Sequence, residues 1–324
     1  YARVYLHRLG TDQDQDQLIY ERPDFKELGF NAIVTKDDTY LCLHVSLGTN
    51  PENRFYYREL DSDGPFVRLL DDNEAMYHFV GNDGPIFYFL TDLNAPKKRL
   101  IAIDITAPQR ENWRELIPEQ EAVLSGVSIC GNHFVARYLQ HAYSQLKLYT
   151  LAGEFVREIK LPTLGTVAGL TGDRDYDQIF ISFTSYLYPQ TIFRYDIAND
   201  LLEPFFQAEI DFDPEQFETV QVFYTSKDGT RVPMFMTYKK GLQRDGNNPT
   251  LLYGYGGYNI SMTPSFSASN LVWLEKGGIY AVACLRGGSE YGEEWHRAGM
   301  LENKQNVFDD FIAAAEWLIS EKYT

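Results

Sequence analysis

The sequence predicts an incomplete β-propeller followed by an α/β domain, and three observations support this. A strand-like phrase recurs every 45 or 46 residues over the first two thirds of the chain. Aromatic residues, which favour strands, make up 15% of the 324 residues. Near Phe212 the repeat stops, and the pattern changes to strand, loop and helix. We therefore expect a propeller portion at residues 1–215 and an α/β portion at residues 216–324.

Each copy of the phrase ends on an apolar residue, and these end residues set the period. A second alternating strand precedes each phrase, so every repeat holds at least one antiparallel pair. The phrases are FYYREL at 55–60, LIAIDI at 100–105, KLYTL at 147–151 and FRYDI at 193–197, ending on Leu60, Ile105, Leu151 and Ile197. The preceding strands are YLCLHVS at 40–46, IFYFLT at 86–91, HFVARYL at 133–139 and QIFISFT at 178–184.

A repeat of this length suits a propeller blade, which needs about 40–50 residues for four strands and their turns. VYLHRLG at 4–10 is a partial copy of the phrase, which gives four blades and a fragment of a fifth. A β-sandwich with fortuitous spacing is the alternative. Tight turns between strands are expected at residue pairs that tolerate a positive φ, namely Asp63-Gly64, Asp83-Gly84 and Ala152-Gly153.

The last third is predicted to begin with a hairpin and to continue with buried strands. Residues 218–240 fit two strands that turn at Asp228-Gly229. The apolar runs at 249–258 and 277–288 both end in glycines. Continuous apolar strands in α/β domains are buried on both faces, so we expect the same of these two runs.

Residues 306–323 are predicted to form a helix that covers the sheet. Asn306 is expected to cap it, and Asp309 and Asp310 to complement the positive end of its dipole. Acid/base carboxylates are the alternative interpretation of the two aspartates. The predicted apolar stripe consists of Val307, Phe308, Phe311, Ile312, Ala315, Leu318 and Ile319.

Composition and charge exclude several classes of function. The formal net charge of −17 argues against nucleic acid and anionic membrane partners, which need clustered Lys and Arg. No apolar run approaches the roughly 18 residues of a membrane span. Cys42, Cys130 and Cys284 form no CxxC and leave one cysteine unpaired, so we expect reduced core thiols and no metal site. Peptides or small molecules are the expected partners.

The sequence contains no self-contained catalytic motif of the GxSxG, HExxH or P-loop type. Ser289 in RGGSEYG lacks the second glycine of a nucleophile elbow. His296 in EYGEEWH has no partner at metal-ligand spacing. We therefore interpret Ser289 as a loop serine and His296 as a loop or helix-start residue.

The glycine cluster YGYGGY at 253–258 is the most informative candidate site. A strand that ends in glycines lets the backbone approach a ligand at the carboxyl edge of a sheet, where α/β domains place their sites. Tyr255 carries a phenol that can donate a hydrogen bond to the oxyanion of an acyl-transfer intermediate. The alternative is that Tyr255 and Tyr258 are packing aromatics.

Three segments carry a resemblance to a known family. YGYGGYNIS at 253–261, LRGGSEYGEEWH at 285–296 and NKQNVFDDF at 303–311, preceded by a propeller, resemble the prolyl oligopeptidase family. The resemblance is dense over residues 218–324 and thinner but colinear through the blades. It implies a serine peptidase that hydrolyses short peptides after proline, with a seven-bladed propeller covering an α/β-hydrolase domain.

The resemblance also implies roles for individual residues. By position, Tyr255 completes the oxyanion hole, and Tyr258 belongs to the proline-accepting pocket, where the family usually has phenylalanine. The family's catalytic serine, aspartate and histidine lie beyond the matching segment, so we expect an internal fragment that is inactive alone. A hydrolase domain of this extent is expected to leave at least one sheet edge and one helix face without partners.

For the parent protein we expect a cytoplasmic monomer that acts on short proline-containing peptides and uses no cofactor or metal. Two other functions stay open at this point. One is a non-catalytic propeller that binds peptides or proteins. The other is a serine exopeptidase or esterase of the same superfamily.

Overall fold

The computed structural model describes residues 1–324, which form two compact units, Tyr1–Pro118 and Glu119–Thr324. The first unit consists of β-sheets joined by turns and short 3₁₀ segments. The second contains further β-sheets and three α-helices. None of these helices combines the length and the apolar character that a bilayer-spanning helix needs.

The first unit contains two four-stranded antiparallel meanders and one two-stranded sheet. In each meander the strands follow chain order, β3-β4-β5-β6 and β7-β8-β9-β10, and β1 pairs with β2. The strands are β1 (Arg3–Leu6), β2 (Gln17–Glu21), β3 (Leu28–Val34), β4 (Tyr40–Leu47), β5 (Asn53–Glu59), β6 (Val67–Leu70), β7 (Tyr77–Asp83), β8 (Ile86–Thr91), β9 (Arg99–Asp104) and β10 (Arg114–Ile117).

The second unit begins with two more meanders of the same kind, in the orders β11-β12-β13-β14 and β15-β16-β17-β18. The strands are β11 (Val123–Cys130), β12 (His133–Gln140), β13 (Tyr143–Thr150), β14 (Phe155–Ile159), β15 (Thr166–Gly172), β16 (Gln178–Ser185), β17 (Tyr188–Asp196) and β18 (Leu201–Gln207).

These four meanders are the propeller blades that the repeat predicts, so the prediction is confirmed. The repeated phrases form the third strands β5, β9, β13 and β17, and the preceding phrases form the second strands β4, β8, β12 and β16. Each predicted pair is antiparallel. The apolar end residues directly follow the third strands, as Leu60 follows Glu59. The partial copy at residues 4–10 contributes β1.

Aromatic residues from neighbouring blades pack together, which explains the aromatic content. In the first unit the ring of Phe55 stacks on that of Phe79 at 5.1 Å and meets Phe89 edge-on at 4.9 Å. Such pairs contribute about 0.5–1.5 kcal/mol beyond the area they bury. Asn53 adds polar links between the same sheets, because its side chain donates to the carbonyl of Tyr77 and accepts from the N–H of Tyr77.

All three predicted residue pairs lie where one strand connects to the next. Gly84 and Gly153 have φ of +54° and +87°, which is why a glycine suits each turn. Gly64 does not have a positive φ. There, the Ser62 hydroxyl accepts the N–H of Gly64 at 3.0 Å and supports the turn between β5 and β6.

A mixed four-stranded sheet follows, with the order β19-β20-β22-β21. The hairpin prediction is confirmed, because β19 and β20 pair antiparallel from Phe217↔Lys239 to Thr225↔Arg231, and Gly229 has φ +90°. The strand β21 runs parallel to β22. The elements are β19 (Phe217–Thr225), β20 (Arg231–Lys239), β21 (Thr250–Gly254), α1 (Ala268–Glu275), β22 (Ile279–Ala283), α2 (Glu293–Arg297) and α3 (Gln305–Ser320).

The expectation that both apolar runs are buried on both faces holds for β22 and is wrong for β21. Most of β22 is buried between layers of side chains. β21 is the last strand in the order, and Leu251 and Tyr253 on one of its faces are exposed. Leu252, on the opposite face, packs in the core that includes Val307 of α3. The strand order leaves both β19 and β21 as edge strands of this sheet.

The helix α3 covers the sheet as predicted, but its register is rotated. Its buried residues are Val307, Asp310, Ala314 and Leu318. The stripe prediction is right for Val307 and Leu318 and wrong for four exposed residues, Phe308, Phe311, Ile312 and Ile319. These four form the helix face that was expected without a partner. The rotation has a polar cause, because Asp310 turns inward to meet Arg286.

The predicted polar roles at the start of α3 are also corrected. Asn306 does not cap the helix, because the helix begins at Gln305 and the Asn306 side chain donates instead to the carbonyl of Ala298 at 2.9 Å. Asp309 lies 3.5 Å from the Lys227 ammonium. Asp310 is fully buried in an ion pair with Arg286, so it does not act as a solvent-exposed helix-end charge.

Candidate active site

The candidate site lies at the carboxyl edge of the parallel pair β21 and β22. Gly254 and Ala283 are register partners at the ends of these strands, so the segments that follow leave the sheet at the same edge. We call residues 255–262 the first loop and residues 286–292 the second loop. The first loop carries Tyr255 and Tyr258. This is the edge at which open α/β sheets bind their ligands.

Glycines let the two loops touch backbone to backbone. Gly256 has φ +63°, and an ideal Cβ there would lie 2.4 Å from Val307 Cγ1. Gly287 has φ +94°, and its ideal Cβ would lie 2.6 Å from the carbonyl oxygen of Gly256. Any side chain at either position would separate the loops.

Hydrogen bonds join the first loop to the second at successive positions. The N–H of Asn259 donates to the carbonyl of Gly287 at 3.1 Å. The Ser289 hydroxyl donates to the carbonyl of Asn259 and lies 2.9 Å from the hydroxyl of Ser261. The N–H of Met262 donates to Glu290 Oε1 at 2.7 Å. The first loop is therefore held along its length by the second.

Lys304, just before α3, supports the other end of the first loop. Its ammonium donates to the carbonyl of Gly256 at 2.6 Å, next to Tyr255. An ideal Cβ on Gly257 would lie 3.8 Å from both Lys304 Nζ and Tyr255 Cε1. The sequence does not predict this contact, because nothing in the NKQNVFDDF segment indicates that the Lys304 ammonium reaches a loop 48 positions away.

Arg286 fixes the start of the second loop through bonds to two acidic residues. Its guanidinium meets Asp310 at 2.5 Å and also contacts Asp228 in the hairpin turn. The backbone N–H of Arg286 donates to Asp310 as well. The bond to Arg286 lowers the pKa of Asp228 to about 2. An arginine inside the apolar run ACLRGG was the available signal for this buried pair, since a buried charge needs a partner.

The two residues predicted to act on substrate share the first loop. Tyr255 directly follows β21, and 42% of its surface is exposed. Tyr258 is 86% exposed and has φ +51°, so it projects from a left-handed turn. Neither side chain is part of a buried core, and their roles stay predictions.

Ser289 and His296 lie where the sequence predicts, in a loop and in α2. The Ser289 hydroxyl bonds to the first loop and has no hydrogen bond to a histidine. Nδ1 of His296 donates to the carbonyl of Gly287 at 2.8 Å. The two residues therefore support the loops and do not form a nucleophile and base pair.

Glu290 carries a buried carboxyl, and the sequence pattern around it does not predict this burial. Only 1% of its surface is exposed, and its burial raises the pKa of the carboxyl to about 7. The neighbouring phenol of Tyr291 lies 3.0 Å from Nδ1 of His141, which belongs to the turn between β12 and β13. The second loop thus contacts the blade that contains β12 as well as the first loop.

All three cysteines are unpaired and buried, as predicted. Burial raises the pKa of the Cys42 and Cys130 thiols to about 12. The thiol of Cys284 donates to the carbonyl of Met262 at 3.4 Å. Thiols held in their neutral form in this way are poor nucleophiles and metal ligands.

Comparisons with known proteins match both parts of the chain. Residues 1–208 match the model of the prolyl oligopeptidase N-terminal β-propeller domain, and residues 264–324 match the prolyl oligopeptidase family. The prolyl endopeptidase of Elizabethkingia meningoseptica is 42% identical over 99% of this chain. The chain spans 45% of the length of that relative.

Solved structures agree with the sequence matches. A chain from a structural and mechanistic study of two prolyl endopeptidases superposes on all of this chain with a TM-score of 0.93 and 42% identity, and 48% of that chain is covered. Prolyl oligopeptidase B from Galerina marginata, bound to a 35mer hydrolysis and macrocyclization substrate, superposes with a TM-score of 0.92 and 34% identity. That match covers 98% of this chain and 46% of the other.

Proposed function

Because the chain belongs to the prolyl oligopeptidase family, we propose that the protein is a serine peptidase that cleaves short peptides on the carboxyl side of proline. The observation that carries the proposal is the placement of Tyr255. Tyr255 directly follows β21, and its phenol is partly exposed at the edge where the two glycine-containing loops meet. Relatives named prolyl endopeptidases match over 99% of the chain, and one structural relative binds a peptide substrate.

The proposed reaction is acyl transfer. A serine hydroxyl gives its proton to a histidine and attacks the carbonyl carbon of the proline residue. The C–N bond then breaks, the histidine returns the proton to the leaving amine, and water hydrolyses the acyl-enzyme. We propose that the serine, histidine and aspartate are supplied by residues other than those in 1–324, since the matched relatives are more than twice as long as the match.

Tyr255 is proposed to act on the tetrahedral intermediate. Its hydroxyl and a backbone N–H donate hydrogen bonds to the oxyanion, whose charge grows as the serine attacks. A donor that is already in position stabilises the transition state more than the ground state. The bonds from Lys304 to Gly256 and from Asn259 to Gly287 support this role, because they fix the backbone that carries the phenol.

Tyr258 is proposed to contact the proline ring of the substrate. Its exposed ring, held by a left-handed backbone, offers an apolar face beside the first loop. Its hydroxyl distinguishes it from the phenylalanine that the family usually has, and we expect it to change the shape or polarity of that pocket.

Three further proposals concern the protein as a whole. We propose a boundary near residue 215 between propeller and hydrolase domains, supported by the gap between β18, which ends at Gln207, and β19, which begins at Phe217. We propose a cytoplasmic location, supported by three unpaired cysteines. We also propose that the protein acts as a monomer, which its mass in solution tests.

The proposed function is tested with the protein expressed from its complete gene. Two reporter peptides are compared that differ only in having proline or alanine before the scissile bond. We expect turnover of the proline peptide, its loss after treatment with a serine-directed organophosphate, and much slower turnover of the alanine peptide. Equal turnover of both peptides, or turnover that resists the reagent, would contradict the proposal.

A further inference from the structure

Glu290 has a feature that the proposed mechanism does not use. Its carboxyl is 1% exposed, and Oε1 accepts the N–H of Met262 in the first loop. The second oxygen, Oε2, is buried and has no hydrogen-bond partner. A buried carboxylate oxygen without a partner is costly, and protonation of that oxygen removes the charge.

An acceptor for such a proton lies nearby. An ideal Cβ built on Gly288 would lie 2.2 Å from Oε2 of Glu290 and 2.8 Å from the carbonyl oxygen of Ile260. Both oxygens therefore lie beside the bare Cα of Gly288, at most 5.0 Å apart, and we take the Ile260 carbonyl as the acceptor for a proton on Oε2. The neutral carboxyl would then hold two consecutive parts of the first loop, accepting from Met262 and donating to Ile260.

The titratable groups that face this carboxyl are the Cys284 thiol and the Tyr291 phenol. Burial raises the pKa of both groups, so both stay neutral around pH 7. Tyr291 is in turn faced by His141, Arg231 and Glu121. The Trp295 indole N–H donates to the carbonyl of Leu285 and also faces the Glu290 carboxyl, where it and the backbone N–H groups of Met262 and Glu290 lower the pKa less than burial raises it.

We propose that Glu290 is a positioning residue whose protonated carboxyl locks the first loop at Ile260 and Met262, and thereby holds Tyr255 and Tyr258 in place for catalysis. The proposal rests on the proposed function for the roles of the two tyrosines. Its physical step is local: ionisation removes the donor to Ile260 and leaves a buried charge. The first loop then loosens at Ile260, while the Met262 N–H still donates to Oε1 and the links from Gly287 and Ser289 remain.

Burial raises the pKa of Glu290 to about 7, which places the change in protonation near neutral pH. The lock is therefore closed in mildly acidic solution and opens as the pH rises above about 7. A glutamine at this position reproduces the neutral carboxyl, since its oxygen accepts from Met262 and its NH₂ donates to Ile260 at any pH.

The test compares Glu290→Gln, Glu290→Ala and the control Glu294→Gln in the protein from the complete gene. Glu294 is an exposed glutamate in α2, four positions away. The first readout is amide hydrogen exchange of the peptide that covers residues 255–262, expressed as protection factors between pH 6 and pH 9. This readout does not depend on peptidase activity, so it tests the lock even if the proposed function fails.

We expect protection of this peptide to fall above pH 7 in the wild type and in Glu294→Gln, and to stay constant in Glu290→Gln. The second readout is kcat for the proline reporter. Glu290→Gln should keep the wild-type kcat at pH 6 and lose the decline above pH 7 that the wild type shows. Glu290→Ala should lower kcat on the order of 10–100-fold at every pH, as expected when a catalytic group is misplaced.

Either of two results on loop protection would overturn the proposal. One is a Glu290→Gln protein whose loop protection depends on pH in the same way as the wild type. The other is a Glu290→Ala protein with wild-type protection of residues 255–262. If Glu290→Ala fails to fold, the pH dependence of loop protection in Glu290→Gln and in the wild type still tests the proposal. If Tyr291→Phe changed the dependence of kcat on pH as much as Glu290→Gln does, the pH dependence would belong to the His141 contact. That result would also refute the proposal.

Discussion

At the scale of single residues, the site depends on polar side chains that act on the backbone. Arg286, Glu290 and Lys304 each bind a backbone group or an acid far away in sequence. Tyr255 and Tyr258 could be singled out because they lie within a local glycine motif. The other three could not, because their roles depend on which loops the fold brings together, and a lone charged residue in a sequence is usually solvated.

The adjacent aspartates of α3 give a direct test of the buried ion pair. Asp310→Asn leaves the Arg286 guanidinium buried beside a neutral amide, so we expect a loss of about 3 kcal/mol in the free energy of unfolding. Asp309→Asn removes the charge that faces an exposed lysine and keeps an acceptor for Gln305, so it should cost less than about 1 kcal/mol. Urea denaturation of both variants measures the difference. Equal, small losses would show that both aspartates serve the helix dipole.

Glu290 should also make stability depend on pH. The pKa of Glu290 is raised to about 7 in the folded chain, against 4.5 for an ordinary glutamate. Between these values the folded state binds more protons than the unfolded state, so the unfolding free energy falls as pH rises from 4.5 to 7. The fall amounts to at most roughly 3 kcal/mol and then levels off.

Urea titrations of the wild type and Glu290→Gln at several pH values isolate this effect. The stability of Glu290→Gln relative to the wild type should increase across the window from pH 4.5 to 7. Parallel stability curves would mean that Glu290 ionises in the folded chain as it does in the unfolded chain.

At the scale of elements, local patterns predicted the strands well. Alternating residues and Asp-Gly turns identify the hairpin of β19 and β20 and the central strand pairs of every blade. The errors have a common cause. The exposed face of β21 and the rotation of α3 depend on what covers each surface, and hydrophobic periodicity alone does not contain this information.

The register of α3 can be tested within residues 1–324. Leu318→Ala removes a fully buried side chain and should cost about 2–5 kcal/mol. Ile312→Ala changes an exposed position and should stay within about 0.5 kcal/mol. Thermal or urea denaturation of both variants measures these losses in the free energy of unfolding. A larger loss for Ile312→Ala than for Leu318→Ala would support the stripe expected from the sequence and contradict the observed register.

At the scale of the whole molecule, the 45- or 46-residue period was sufficient to predict the blades. The period is visible because every blade repeats the same second and third strands. The chemistry could not be predicted from the blades, since propellers bind many kinds of partner. It was indicated by one loop of the last third and by the family resemblance.

The histidines lead to an expectation for residues 1–324 expressed alone. Five of the six bond to an acid, an amide, a tyrosine or a backbone carbonyl, and none bonds to a serine. Since serine peptidases activate the nucleophile through a histidine, we expect no turnover of a proline reporter peptide. A continuous fluorescence assay at high protein concentration measures this. Turnover that a serine-directed reagent abolishes would show that a catalytic pair exists within these residues.

The most direct test of the account is kcat of Tyr255→Phe in the protein from the complete gene. The change removes one hydroxyl from an exposed ring, so folding should be preserved. If the phenol donates to the oxyanion, kcat for the proline reporter should fall on the order of 10²–10³-fold with little change in KM. A kcat equal to that of the wild type would contradict the account and leave Tyr255 as a packing residue.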